Sequence, residues 1–182
     1  MEFARQDQLS GAEIKVIRAR LGLTQKTFAE LLNVSKKSVE RWEQGTDGVS
    51  GPVTTLLKLF KEHPELVEEL EVPEQEFPLR LRYMDGDDLC TIIDVDDRRR
   101  RIRIKNYTTD YISRAFGNNM TPTYEDYENF LRSRCFPETR DKMKLILREL
   151  NLPFYDPFLI IQKTAGRMAE DNYWIKIERK RG

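Results

Sequence analysis

Three residues near the amino terminus limit the fold more than anything else in the chain. Ser10, Thr24 and Ser35 each stand just ahead of a stretch with apolar residues at helical spacing. A Ser or Thr side chain in that place accepts from a free backbone N–H of the first turn, so each marks a helix start. Ser10 is followed by Glu13, the reciprocal arrangement of a capping box, and Ile14, Ile17 and Leu21 recur behind it. Gly22 stops that helix. Thr24 opens the next, with Phe28, Leu31 and Leu32 inward, and Asn33-Val34 makes a tight connection. Ser35 opens a third helix with Val39 and Trp42 inward and Gly45 at its end. Pro52 and Pro64, suited to first helical turns, open two more. The expectation is an all-α unit of five helices over residues 1–72.

Net charge is zero, yet its distribution divides the chain. Residues 61–78 hold Lys61 against seven Glu, while the segments on either side are mildly basic. Pro64, Pro73 and Pro78 punctuate this stretch, so residues 73–78 read as an acidic linker. Beyond it the period changes to two. Leu79, Leu81 and Tyr83 alternate with Arg80, Arg82 and Met84; LCTIIDV and RIRIK follow after the turns DGDD and DDRR. YTTDYISRAFG reads as a helix ending at Gly117, and Thr123 starts another. Pro137 opens a third, with Met143, Ile146, Leu147 and Leu150 as a buried stripe. Asp156-Pro157 opens a fourth, and NYWIKIE is a last strand. Residues 79–182 are therefore expected to form an α+β unit, a small antiparallel sheet of three or four strands packed on helices.

A helix, a turn of a few residues and a second helix make a helix-turn-helix, whose second member can enter the DNA major groove. With Val39 and Trp42 inward, Lys36, Lys37, Ser38, Glu40, Arg41 and Gln44 face outward, and Ser35 to Ser38 gather two lysines and two hydroxyls at a helix start. Those groups and the free N–H groups beside them suit phosphates and base edges. Gln25 stands at the start of the preceding helix, within reach of a phosphate.

LTQKTFAELLNVSKKSVERWEQG resembles the helix-turn-helix of the Xre/Cro family of repressors, in the pattern T-Q-x-x-x-A-x-L, V-S-x-x-x-V-x-x-W-E-x-G, over about residues 10–62. VTTLLKLFKEHPELVEELE is similar to the tail of antitoxin members of that family, the MqsA-like and HigA-like proteins. The resemblance implies double-stranded operator DNA as partner, with Lys36, Lys37, Ser38 and Arg41 on bases and Gln25 and Ser35 on phosphate. A homologue with a zinc domain is excluded, since its paired cysteines are missing: only Cys90 and Cys135 occur. In the second half, FLRSRCFPETRD, LPFYDPFLII and TAGRMAEDNYWIKI resemble a domain of small proteins of Firmicutes mobile elements associated with HipA-type toxin-antitoxin cassettes. That implies a protein-binding role for residues 79–182, toward a toxin or, alternatively, a host defence nuclease of the anti-CRISPR type. Helix-turn-helix proteins meet symmetric operators as homodimers.

Two readings of the run Arg98 to Arg101 with Arg103 and Lys105 remain open. Arg99, Arg100, Arg101 and Arg103 are a secondary phosphate or partner contact, or they pair with Asp94, Asp96 and Asp97 across the hairpin. A second basic cluster, Arg132, Arg134, Arg140, Lys142 and Lys144, is an anion or partner surface, or a solvated helix face. An enzyme is not expected. One histidine, His63, excludes paired-His metal sites, Gly-rich phosphate loops are missing, and Cys135 reads as a small buried hydrophobe. Metal ligation by Asp85, Asp87 and Asp88, or by Asp94, Asp96 and Asp97, is the minor enzymatic alternative. No cofactor and no metal are expected. MEFARQDQLS lacks the apolar core of a secretory leader and no run approaches the roughly 20 residues of a membrane span, so a cytoplasmic location and no membrane partner are expected.

Overall fold

The computed structural model describes residue 2 and residues 7–180. Most of the opening MEFARQ, read above for a leader, lies outside the described residues. The chain divides into two compact units, Met1–Val72 and Pro73–Gly182.

In the first unit the expected five helices are α1 (Gly11–Arg20), α2 (Gln25–Leu31), α3 (Lys36–Gln44), α4 (Pro52–Glu62) and α5 (Glu65–Leu70). Ser10 accepts from the Glu13 N–H while the Glu13 carboxylate accepts from the Ser10 N–H, which completes the capping box of α1. Thr24 and Ser35 cap α2 and α3. Leu9, Ile14, Ile17, Phe28, Ala29, Val39, Leu57 and Phe60 form the core, and Trp42 packs half-buried at its edge. One element departs from an all-α unit: β1 (Gln8–Leu9) pairs antiparallel with β2 (Val49–Ser50). Two-residue strands carry no readable period, which is why periodicity misses them. His63 ends α4 with its N–H on the Leu59 carbonyl, and its ring meets Glu65.

The second unit is α+β. Its strands β3 (Leu79–Asp85), β4 (Asp88–Asp96), β5 (Arg101–Asn106) and β6 (Tyr173–Arg179) form one antiparallel sheet in the order β5-β4-β3-β6. Leu79, Leu81 and Tyr83 meet Val95, Ile93 and Thr91 across the β3–β4 pair, so that one sheet face buries its apolar residues against α6 (Tyr124–Ser133) and α8 (Pro157–Thr164). Residues 73–78 contain no helix or strand, as their prolines require, but they are held to this unit. The Pro73 carbonyl accepts from Arg80 at 2.8 Å, Glu76 pairs with Arg103, and the Arg101 guanidinium lies over the Phe77 ring.

Four expectations for this unit need correction. Residues 107–117 form no helix beyond a 3₁₀ turn, Tyr111–Ser113, because the Ala115 N–H is taken by Thr91 of β4 and Arg114 reaches back to the Thr108 carbonyl. Pro137 opens only a turn. Lys142 has a left-handed φ of 60°, so the helix begins later, as α7 (Met143–Glu149), and its apolar stripe is half-buried. Arg80, expected on an open face, is 3% exposed. Arg134 belongs to no surface cluster: it is buried, with its guanidinium on Asp171 and on the Gly166 and Tyr173 carbonyls.

Candidate nucleic-acid interface

The surface of α3 follows from its period. Val39 is fully buried, and Lys37, Arg41 and Gln44, at i, i+4 and i+7, share the opposite, exposed face. Lys36 forms an i,i+4 ion pair with Glu40 at 2.9 Å. Among the described residues Lys37 and Arg41 are in no ion pair, so their charge is available to an outside anion. At the helix start Ser35 Oγ accepts from the Ser38 N–H at 3.1 Å, and the two hydroxyls meet at 2.9 Å. The Ser38 N–H is thereby used, while the N–H groups of Lys36 and Lys37 stand in the first turn, where a helix offers no internal acceptor. Partial positive charge there favours an anion such as a phosphate.

This face is held on a rigid seat. Asn33, with φ 52°, turns the chain between α2 and α3, and the Val34 N–H closes the turn on the Ala29 carbonyl at 2.9 Å. Arg18 of α1 donates to both oxygens of Glu43 on α3, at 2.6 and 3.1 Å, and to the Leu23 carbonyl. Gln25 Nε2 donates to the same carboxylate at 2.8 Å. Burial pulls the Glu43 carboxyl upward, but the hydrogen bonds from Arg18 and Gln25 outweigh it and hold the group below the ordinary glutamate value. Three helices thus converge on one ionised carboxylate. Sequence reading missed this hub. Its signal was present in Arg18, one turn beyond Ile14 on the inner stripe of α1.

The named residues therefore fall into two groups. Lys36, Lys37, Ser38 and Arg41 come together on α3 with Ser35 at its cap. Gln25 turns one amide hydrogen to Glu43 and keeps the second for another acceptor. The arginines of the β4–β5 hairpin stand in the other unit, and four of them have acids of their own. Asp96 takes both Arg99 and Arg101, Glu128 takes Arg100 and Glu76 takes Arg103. Asp94 is bound by Arg80 through two hydrogen bonds of 2.6 and 2.7 Å, and Asp97 accepts from the Tyr124 hydroxyl. Among the described residues no group of three or more His, Cys, Asp or Glu is placed to hold a metal ion. Burial pushes the Cys135 thiol up to about 12, which keeps it protonated and unreactive at neutral pH. No helix of the described residues is long and apolar enough to cross a membrane.

Residues 2–71 match the family model of MqsA, the antitoxin component of a bacterial toxin-antitoxin system. The match coincides with the helical unit. Antitoxin HigA-2 of Vibrio cholerae serotype O1 (strain ATCC 39315 / El Tor Inaba N16961) is 42% identical over 57 residues, which cover 31% of this chain and 55% of that protein. The chain spans about half the length of this curated relative.

Proposed function

We propose that the chain is the antitoxin of a toxin-antitoxin cassette. On this reading it is a sequence-specific repressor of its own operator and not an enzyme, working in the cytoplasm, and residues 79–182 engage the cognate toxin. The exposed stripe of Lys37, Arg41 and Gln44 on a helix tied to both α1 and α2 carries this reading, and the likeness of residues 2–71 to an antitoxin family supports it. A helix about 10–12 Å across fits a major groove about 12 Å wide, which brings Arg41 and Lys37 to base edges. Ser35, Ser38, Lys36 and the free hydrogen of Gln25 then stand beside the phosphates. Two copies related by a twofold axis would read half-sites about 34 Å apart. Toxin occupancy of the second unit would couple the state of the cassette to its transcription.

The test is fluorescence anisotropy of the full chain on the DNA upstream of its own gene, with a scrambled duplex as control and at two salt concentrations. Tight, salt-dependent binding that prefers the upstream duplex, abolished in the double variant Lys37→Ala, Arg41→Ala, is expected. Equal binding to both duplexes, or binding that survives the double variant, would overturn the operator reading.

A further inference from the structure

The second unit holds a cavity of about 410 Å³ between α6, the first turn of α8 and the residue that follows β4. Asp97, Glu128 and Asp156 line it. Glu128 is neutralised by two hydrogen bonds from Arg100, at 3.3 and 3.2 Å. The other two carboxylates have no cation among the described residues: Asp97 accepts from the Tyr124 hydroxyl at 3.0 Å, and Asp156 from the Leu159 N–H at 2.8 Å. A second, independent observation comes from Tyr127 in the same wall. It is 2% exposed, and its hydroxyl has no hydrogen-bond partner among the described residues. No side-chain oxygen of the described residues is both sealed from solvent and without a partner, so this hydroxyl opens onto the cavity. Burial, and after it the charges of Asp97 and Asp156 among others, raise this phenol above its ordinary value, so it stays neutral and able to accept as well as donate.

Two carboxylates without a cation and an unpartnered phenol along one half-open cavity ask for a cation with several N–H donors. A guanidinium presents five in one plane and accepts none. Leu131 and Phe158 supply apolar wall for a methylene stem. The one cation lining the space, Arg132, is turned to Asn129 at 2.9 Å. We propose that this cavity receives the side-chain guanidinium of an arginine on a protein partner, with Asp97 and Asp156 taking its charge and the Tyr127 hydroxyl one of its N–H groups. The identification of the source rests on the reading that residues 79–182 bind a protein. The volume matches that source, at the small end of ligand pockets and sufficient for one long side chain.

The test titrates the full chain with N-acetyl-arginine amide and with the uncharged N-acetyl-citrulline amide, following the tyrosine ring signals by NMR. The arginine amide is expected to shift Tyr124 and Tyr127 saturably and to bind about tenfold or more tighter than the citrulline amide. The double variant Asp97→Asn, Asp156→Asn keeps an oxygen for the Tyr124 hydroxyl and for the α8 cap, so it remains folded while losing that preference. Equal response to both amides, or unchanged binding by the double variant, overturns the proposal. A second arm mixes each form with the protein encoded beside this gene. A complex weakened about tenfold or more in the double variant, with DNA binding intact, supports the proposal. A complex of unchanged affinity overturns the cavity and leaves the partner reading standing. Absence of any complex beside clear arginine-amide binding defeats the partner reading, and with it the protein source, while the cation site stands.

Discussion

Residues 36–41 and residues 98–103 are both cationic runs, yet they reach opposite ends. On α3 the helical period carries Lys37 and Arg41 to the exposed side, where no carboxylate of the described residues pairs with them. On the hairpin, antiparallel pairing sets Asp94 opposite Arg103 and Asp96 opposite Arg101, and residues remote in sequence bring Glu76 and Glu128. Arg98 alone in that run has no ion pair among the described residues. A run of positive charge becomes an anion site only where the backbone keeps the chain's own acids away from it.

The largest expected effect lies where a pair is buried. Arg80→Ala leaves Asp94, 3% exposed, without its cation, and should cost about 3–5 kcal/mol, read as a lowered urea midpoint of the full chain. A loss under about 1 kcal/mol would mean that the hairpin does not depend on internal pairing. Next comes the helix. Arg41→Ala and Lys37→Ala should each weaken operator binding by about 1–3 kcal/mol and relax the preference for the operator sequence, each leaving stability within about 0.5 kcal/mol. Lys36→Ala, already tied to Glu40, should do less.

The seat of α3 should respond to acid. The folded Glu43 carboxyl lies below its ordinary value of 4.5, so its contribution is complete at neutral pH and is lost as pH falls through the folded value. Thermal melts at descending pH should show this loss, and Glu43→Gln should flatten it. The smallest effect sharpens the comparison most. Arg98 and Arg103 changed together to Gln should cost less than about 1 kcal/mol, since the Arg103–Glu76 pair is exposed on both sides, and should leave operator affinity unchanged. An affinity loss as large as that of Arg41→Ala would erase the distinction between the two runs.

Legibility followed the range of the interactions. Caps act over three residues, so Ser10, Thr24, Ser35, Thr123 and Asp156 announced their helices from local sequence. Strand alternation likewise exposed β3, β5 and β6. All the failures but the late start of α7 involve partners far along the chain. Arg80 and Arg134 looked like surface cations because Asp94 and Asp171 stand 14 and 37 residues away. Residues 107–117 have the composition of a helix but are drawn out by a contact with Thr91, 24 residues earlier. Nothing local singles out Tyr127, and only the fold brings Asp97 and Asp156 into the wall of the same cavity.

Gly11, the first residue of α1, carries a last consequence. A Cβ there would stand 2.4 Å from the Trp42 carbonyl oxygen of α3, closer than any side chain tolerates without backbone movement. Inheritance at this position is therefore closed, whereas Lys37, Arg41 and Gln44 are open to exchange because they touch nothing that the fold needs. On the proposed operator reading, a lineage of such chains would drift to new DNA sequences by trading those outward residues, while the platform beneath them stays frozen. Divergence in sequence preference would then fall on one helical stripe.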